Sequence, residues 1–143
     1  MRVRIGPVGE FSDYVFVVVV AFSDDGFVLC RHRDRSTWET PGGHIKPDES
    51  PLTAARRELF EETGIVPRAL DPVADYDVDG VAGRLFIAEV GQRHPLPGFE
   101  MVQTRDVRSL PDDLTYPEIT PTLVDIALRS QRQHSPSAQA RSL

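Results

Sequence analysis

The sequence predicts a mixed α/β domain, a β-sheet with helices packed on it and no regular strand–helix–strand alternation. Three observations lead there. The nine-residue run "YVFVVVVAF" is β-branched and aromatic without alternation, which suits a strand covered on both faces. A helix is bracketed by Ser50 as N-cap, Pro51 at its first position and Gly64 as the left-handed stop. A second helix is expected over Glu118 to Arg129, where Ile119, Leu123, Ile126 and Ala127 recur at helical spacing.

The remaining elements follow in chain order. Tyr14 to Phe22 is the first strand, "SDDG" is turn chemistry, and "FVLCRHR" resumes as a second strand, so the two form a hairpin. The proline- and glycine-bearing "TPGGHIKPDE" reads as loop. The capped helix runs from Pro51 to about Thr63. Beyond it "ADYDVDG", "RLFIAEV" and "MVQTRDV" read as strands or strand edges. The polar, core-free "SQRQHSPSAQARSL" is expected to be a mobile tail, giving a domain over residues 1–129 and a tail over 130–143.

Composition narrows the class. A chain of 143 residues fits one domain, and 40% apolar with 27% charged residues is ordinary globular usage. A formal charge of −6 argues against coating a nucleic-acid polymer, though a bound divalent cation still admits a small anionic substrate. The single cysteine, Cys30, reads as a small buried hydrophobe and asks for no oxidising compartment. The N-terminus lacks the pattern of a secretory signal, and the longest apolar run is too short to span a membrane. The expectation is a cytoplasmic monomer or homodimer with a small-molecule partner and no membrane contact.

"RRELFEETG", Arg56 to Gly64, crowds Glu58, Glu61 and Glu62 together, although like charges at helical spacing cost a few tenths of a kcal/mol. With Leu52 at zero on a helical wheel, Leu59 and Ala55 fall beside it as the buried stripe. Glu62, Glu58 and Glu61 follow on one adjoining arc, next to the core rather than opposite it. Oxygen ligands on a fixed scaffold are what magnesium takes, sharing its shell with waters and substrate phosphates. The upstream glycines let backbone approach closely. A wet helix face is the ordinary meaning of such a turn, and the longer spacing decides against it. Gly43, five residues, Glu49, seven residues, then Arg57-Glu58-Leu59-Phe60-Glu61-Glu62-Thr63-Gly64-Ile65 resembles, without a gap, the signature of the Nudix hydrolases. Seven fixed residues at roughly one-in-fifteen usage make a chance match of order 10⁻⁸ per start position.

The resemblance covers Gly43 to Ile65, and Trp38 to Gly42 also looks like the approach found in triphosphate-hydrolysing members. It implies an α/β/α sandwich with a mixed sheet between helices, and hydrolysis of a nucleoside diphosphate linked to a further group. It implies Mg²⁺, with Mn²⁺ as a substitute, held by Glu58, Glu61, Glu62 and the Gly42 carbonyl, with an Arg57–Glu49 salt bridge tying loop to helix. One more carboxylate is drawn from a later loop in such enzymes. "LPGFEM" offers Glu100, with Glu89 as its rival and Glu61 as a further candidate for the base. One position departs from the pattern: Asp48 stands where many members have glycine, and aspartate tolerates left-handed backbone well enough for the loop to keep its path. The metal would neutralise phosphoryl oxygens and acidify a water while a carboxylate takes its proton.

Other residues are weighed against plainer roles. Arg33 at a strand end is a candidate phosphate contact or a surface arginine, and Trp38 a candidate base-stacking ring or a buried hydrophobe. His32 and His44 lack a second nitrogen ligand at metal spacing and read as structural or solvated. Tyr116, before proline, reads as an extended lead into the last helix, with an aromatic wall for the nucleotide as the lesser reading. "DYDVDG" matches the opening of an EF-hand loop, but Phe86 stands where a bidentate glutamate is required. Asp75, Asp77 and Asp79 are instead expected on the wet face of a strand. The functional expectation is a nucleoside triphosphate pyrophosphohydrolase for a normal or oxidised nucleotide. ADP-ribose or a dinucleoside polyphosphate is the alternative substrate, and a non-catalytic nucleotide-binding domain the rival from another class. A calcium sensor is a distant third.

Overall fold

The computed structural model describes residues 1–134. Its strands are β1 (Val3–Gly6), β2 (Phe16–Ser23), β3 (Gly26–His32), β4 (Gly42–His44), β5 (Ile65–Val78), β6 (Val81–Arg93) and β7 (Met101–Val107). Its helices are α1 (Pro51–Thr63) and α2 (Thr120–His134). One sheet holds the strands in the order β1-β5-β6-β2-β3-β7, with β4 paired on β2. The β2–β6 pair is parallel and the others antiparallel, so the sheet is mixed.

The unbroken apolar run of β2 has the expected cause, because alternate side chains enter different cores. Val17, Val19 and Ala21 pack with Ala54, Ala55 and Leu59 of α1, together with Phe86 and Ala88 of β6. Val20, with Val18 and Phe22 against it, packs with Leu85 and Ile87 of β6 and with Leu123, Val124 and Ala127 of α2. A helix therefore covers each face, and the α/β/α layering is present. Cys30 is fully buried in β3. Among the described residues no helix is long and apolar enough to cross a membrane.

The ends of α1 follow the sequence closely. Ser50 Oγ accepts a hydrogen bond from the Thr53 amide at 3.1 Å, Pro51 opens the helix, and Gly64 closes it at φ 76°, its amide bonded to the Phe60 carbonyl at 2.8 Å. Leu52 does not join the buried stripe: it is 41% exposed, and the buried positions are Ala54, Ala55, Leu59, Glu62 and Thr63. The inward face is thus rotated toward the glutamates, so that Glu62 lies within the packed layer.

Four further expectations are corrected. The supposed loop around Gly42 contains β4, whose backbone lies so close to β2 that a Cβ on Gly42 would stand 2.4 Å from the Val17 carbonyl oxygen. β5 begins at Ile65, before the expected strand, and takes in Pro67 and Pro72 where its register with β6 shifts. α2 continues past Arg129 to His134, so Ser130 to His134 are helical; the rest of the expected tail, 135–143, lies outside the described residues.

The last correction concerns the aspartates. Asp75 is fully buried and Asp77 is 6% exposed, so neither lies on a wet face. Asp75 takes Arg84 on both oxygens (2.8 and 3.2 Å), the Tyr14 hydroxyl (2.6 Å) and the Gly9 amide (2.7 Å). Asp77 meets Arg4 at 3.3 Å and the Gly80 amide at 2.9 Å. Asp79 and Gly80, at φ 51° and 89°, form the two-residue tip of the β5–β6 hairpin. The acidic run is a hairpin and its anchor to the N-terminal segment, in which β1 pairs with β5. It shows no calcium-loop geometry.

Candidate active site

α1 presents its glutamates beneath β4, and the loop before β7 faces them from the other side. Glu58, Glu61, Glu62, Phe99, Glu100 and Met101 line a depression of about 340 Å³. The structure thereby brings Glu58, Glu61, Glu62 and Glu100 together. Glu89 is elsewhere. It pairs with Arg68 at 2.7 Å and lines a separate groove of about 860 Å³ at the other end of β6, beside Asp71, Arg93 and Asp106. That groove is the larger, yet its charges are of both signs and both of its arginines are paired with carboxylates, so size alone does not make it the site.

Arg57 organises the cluster. Its guanidinium donates to both oxygens of Glu49 (2.6 and 2.8 Å), to the His44 carbonyl (3.0 Å), to Glu58 (2.8 Å) and to Glu61 (3.3 Å). Hydrogen bonds from Arg57 and from the Lys46 amide lower the Glu49 pKa to about 2, against an opposing effect of burial. The expected loop-to-helix salt bridge is therefore present, and it includes the helical carboxylates as well.

Glu62 is 9% exposed and accepts the Gly42 amide at 2.7 Å. Burial pushes its carboxyl up to about 8; the Gly42 hydrogen bond opposes this, and the charges of Glu58, Glu39 and Glu100 add to it. Burial also raises Glu58, with Arg57 opposing. Carboxylates kept close together and away from water in this way are stabilised as anions by a cation. The depression they line, about 340 Å³, has room for one, and Gly43 brings the backbone close to the cluster, since a Cβ there would stand 2.6 Å from Glu58 Oε1. As the side chains stand, no three His, Cys, Asp or Glu groups among the described residues converge on one point, because Arg57 draws Glu58 and Glu61 while Gly42 holds Glu62. The residues fit a hard divalent ion in donor type, charge and room, without forming a finished coordination shell.

The other expected site residues separate clearly. The Arg33 amide donates to the Glu100 carbonyl at 3.0 Å, which ties the end of β3 to the acidic loop, while its side chain is exposed. Trp38 is 7% exposed and belongs to the α2-side core, with Arg105 over its ring at 5.8 Å. Its packing leaves no open ring face for a base, so it is the buried hydrophobe. His44 stacks edge-on against Phe16 at 4.5 Å. Tyr116 is half exposed, and its carbonyl accepts from the Ile119 and Thr120 amides at the start of α2. Sequence reasoning missed Phe99, 60% exposed on the rim of the depression, and Glu39, buried and paired with Arg35 at 3.2 Å. "GFE" before a strand is the signal that marks Phe99; nothing local marks Glu39.

The NUDIX domain family pattern matches residues 13–116, which spans β2 through the lead into α2. The chain belongs to the NUDIX domain family. Within it, the chain is 48% identical over 52 residues to a MutT-like protein of Streptomyces ambofaciens, covering 36% of this chain and 34% of that one. It is 42% identical over 59 residues to an RNA pyrophosphohydrolase of Bartonella henselae, covering 34% of each. The matched stretches are thus about a third of those relatives' lengths. Among solved structures, a point mutant of the Bacillus subtilis pyrophosphohydrolase BsRppH superposes with a TM-score of 0.75 at 25% identity, covering 90% of both chains. The Nudix fold and the Nudix box are therefore both present.

Proposed function

We propose that this Nudix protein is a magnesium-dependent pyrophosphohydrolase that converts a nucleoside triphosphate, normal or oxidised, into its monophosphate and pyrophosphate. The observation that carries the proposal is the facing of Glu58, Glu61 and Glu62 by Glu100 across one depression. Glu58, Glu61, Glu62 and the Gly42 carbonyl would hold Mg²⁺, with Mn²⁺ as a substitute. Bound there, the ion neutralises phosphoryl oxygens and lowers the pKa of a water.

The chain's own residues do the rest. In this reading Glu100, on a loop and largely exposed, would take the proton of the attacking water. Arg57 and Glu49 keep the loop after β4 against α1, so that the glycine backbone and the helical carboxylates face the same phosphates. Arg33, at the mouth of the site, is an additional phosphate contact, while Trp38 supports the site only through packing. A cytoplasmic monomer or homodimer is the setting that goes with this reading.

A second reading has its own support, since the Bartonella relative and the Bacillus structure are named for pyrophosphohydrolase activity, the former on RNA. In it the same site would take the 5′-terminal phosphates of an RNA end. The test is a panel of normal and oxidised nucleoside triphosphates, ADP-ribose, dinucleoside polyphosphates and a 5′-triphosphorylated RNA, each with magnesium or manganese and with products separated by chromatography. Release of pyrophosphate from a free triphosphate supports the first reading, and preference for the RNA end supports the second. No cleavage of any member would leave a nucleotide-binding domain without catalysis.

A further inference from the structure

We infer that His32 is a positioning residue for Glu100. The inference rests on the reading of Glu100 as the site's loop carboxylate. His32 ends β3, where the register with β7 shifts and His32 comes opposite Met101. Together with the Arg33 amide bonded to the Glu100 carbonyl at 3.0 Å, this fixes the imidazole and the Glu100 backbone on adjacent strand ends.

The ring's hydrogen bonds decide what it offers the carboxylate. The Asp34 amide donates to Nδ1 at 3.1 Å. A backbone N–H can only donate, so Nδ1 is the acceptor and the proton of the neutral ring resides on Nε2. Asp34 Oδ2 stands 3.8 Å from the same nitrogen, but the Asp34 amide already occupies Nδ1, so Nε2 is the nitrogen left to donate. Nε2 in turn lies 3.7 Å from Glu100 Oε2. That separation is a few tenths of an ångström beyond a hydrogen bond, and catalytic contacts commonly tighten when substrate arrives.

Exposure assigns the two roles. The His32 side chain is 17% exposed and held, whereas that of Glu100 is 68% exposed and free to swing. Without a partner, repulsion from Glu58, Glu61 and Glu62 would turn the Glu100 carboxylate toward solvent. The Nε2–H of His32, held at the end of β3 beside the Glu100 loop, is the donor that limits this swing. The arrangement is a backbone amide that orients an imidazole, which orients a carboxylate.

The test compares His32→Leu, which removes the donor, with His32→Gln, whose amide reaches near the Nε2 position, and His32→Asn, which is too short. Each is measured alone and with Glu100→Gln, using whichever nucleotide the wild-type protein turns over, and thermal unfolding confirms the fold. His32→Leu and His32→Asn are expected to lower kcat ~10- to 100-fold with KM little changed, the range typical of orienting partners. His32→Gln should stay within about threefold, and His32→Leu should add less than about twofold to Glu100→Gln. Loss in Glu100→Gln without loss in the folded His32 variants overturns the positioning role alone, as do additive losses or failure of glutamine to rescue. If His32→Leu does not fold, the Gln–Asn pair carries the comparison. Wild-type turnover in Glu100→Gln, or none in the wild-type protein, removes the role of Glu100 and that of His32 with it.

Discussion

Gly43→Ala probes the carboxylate cluster with a single methyl group. The added Cβ would stand 2.6 Å from Glu58 Oε1, 2.7 Å from its Cδ and 2.9 Å from Oε2, where ordinary contact begins at 3.4 Å. Glu58 must therefore retreat by about 0.8 Å, and as the end of a flexible side chain it is able to. Gly43 has no positive φ, so alanine meets no backbone strain and fold stability should change by less than about 1 kcal/mol. Misplacing a catalytic group by about 1 Å costs on the order of 10²-fold. The expectation is a fall in kcat/KM of ~10- to 100-fold, about 1.4–2.7 kcal/mol of transition-state stabilisation. Weaker magnesium binding in a titration should accompany it, with an unchanged melting temperature. Gly42→Ala is the contrast: its Cβ would meet the Val17 carbonyl oxygen at 2.4 Å, and backbone cannot swing away, so it should destabilise by ~1–3 kcal/mol. Wild-type turnover and metal affinity in folded Gly43→Ala would refute the assignment of Glu58.

Further outcomes are expected elsewhere. Glu58→Gln and Glu62→Gln should each lower turnover by at least ~10²–10³-fold together with magnesium affinity, as read by activity and calorimetric titration; an active Glu62→Gln would remove it from the ligand set. Glu100→Gln should lower turnover while leaving metal affinity nearly unchanged, whereas Glu89→Gln, which only loses its Arg68 pair, should behave as wild type in the same assay. Asp75→Asn leaves Arg84 with a neutral partner and should cost ~3–5 kcal/mol in urea unfolding, with turnover of the folded fraction preserved. Burial alone would raise the Asp75 pKa, but hydrogen bonds from Arg84, Tyr14 and Gly9 outweigh it and hold the carboxyl below its ordinary value. Its contribution is therefore present above the unfolded value and lost as pH falls through the lowered folded one, and the acid-side slope of wild-type stability should shrink in Asp75→Asn. Asp77→Asn with Asp79→Asn should leave turnover within a few-fold, and calcium should not raise the melting temperature.

Local chemistry was legible in the sequence, and long-range partnership was not. Ser50, Pro51 and Gly64 bound α1 because caps act within one helical turn, and the box glutamates share an arc because helical period is a local property. Leu52 was misassigned because the wheel sets relative angles and not which angle meets the sheet. Asp75 and Asp77 looked wet because their partners Tyr14, Arg84 and Arg4 lie on other elements. Asp79-Gly80 did carry a readable signal for a two-residue hairpin, masked by its likeness to a calcium loop. Pro67 and Pro72 concealed the first half of β5, which the chain tolerates only through register shifts against β6. His32 showed nothing locally, since the carboxylate it faces comes from the loop before β7.

The parallel pairing of β2 with β6 has a consequence for how the chain acquires its shape. Val18 meets Leu85, and β1 meets the far end of β5, so strands remote in sequence must close long loops before either core exists. Loop closure of that kind is slow, and domains dominated by it fold in milliseconds to seconds. α1 is too short to persist alone in water and has no surface to pack on until β2 and β6 have met. In a refolding experiment the glutamate arc should therefore appear with the central sheet and not before it. A substitution that slows the β2–β6 encounter would delay refolding even where the finished protein is unimpaired.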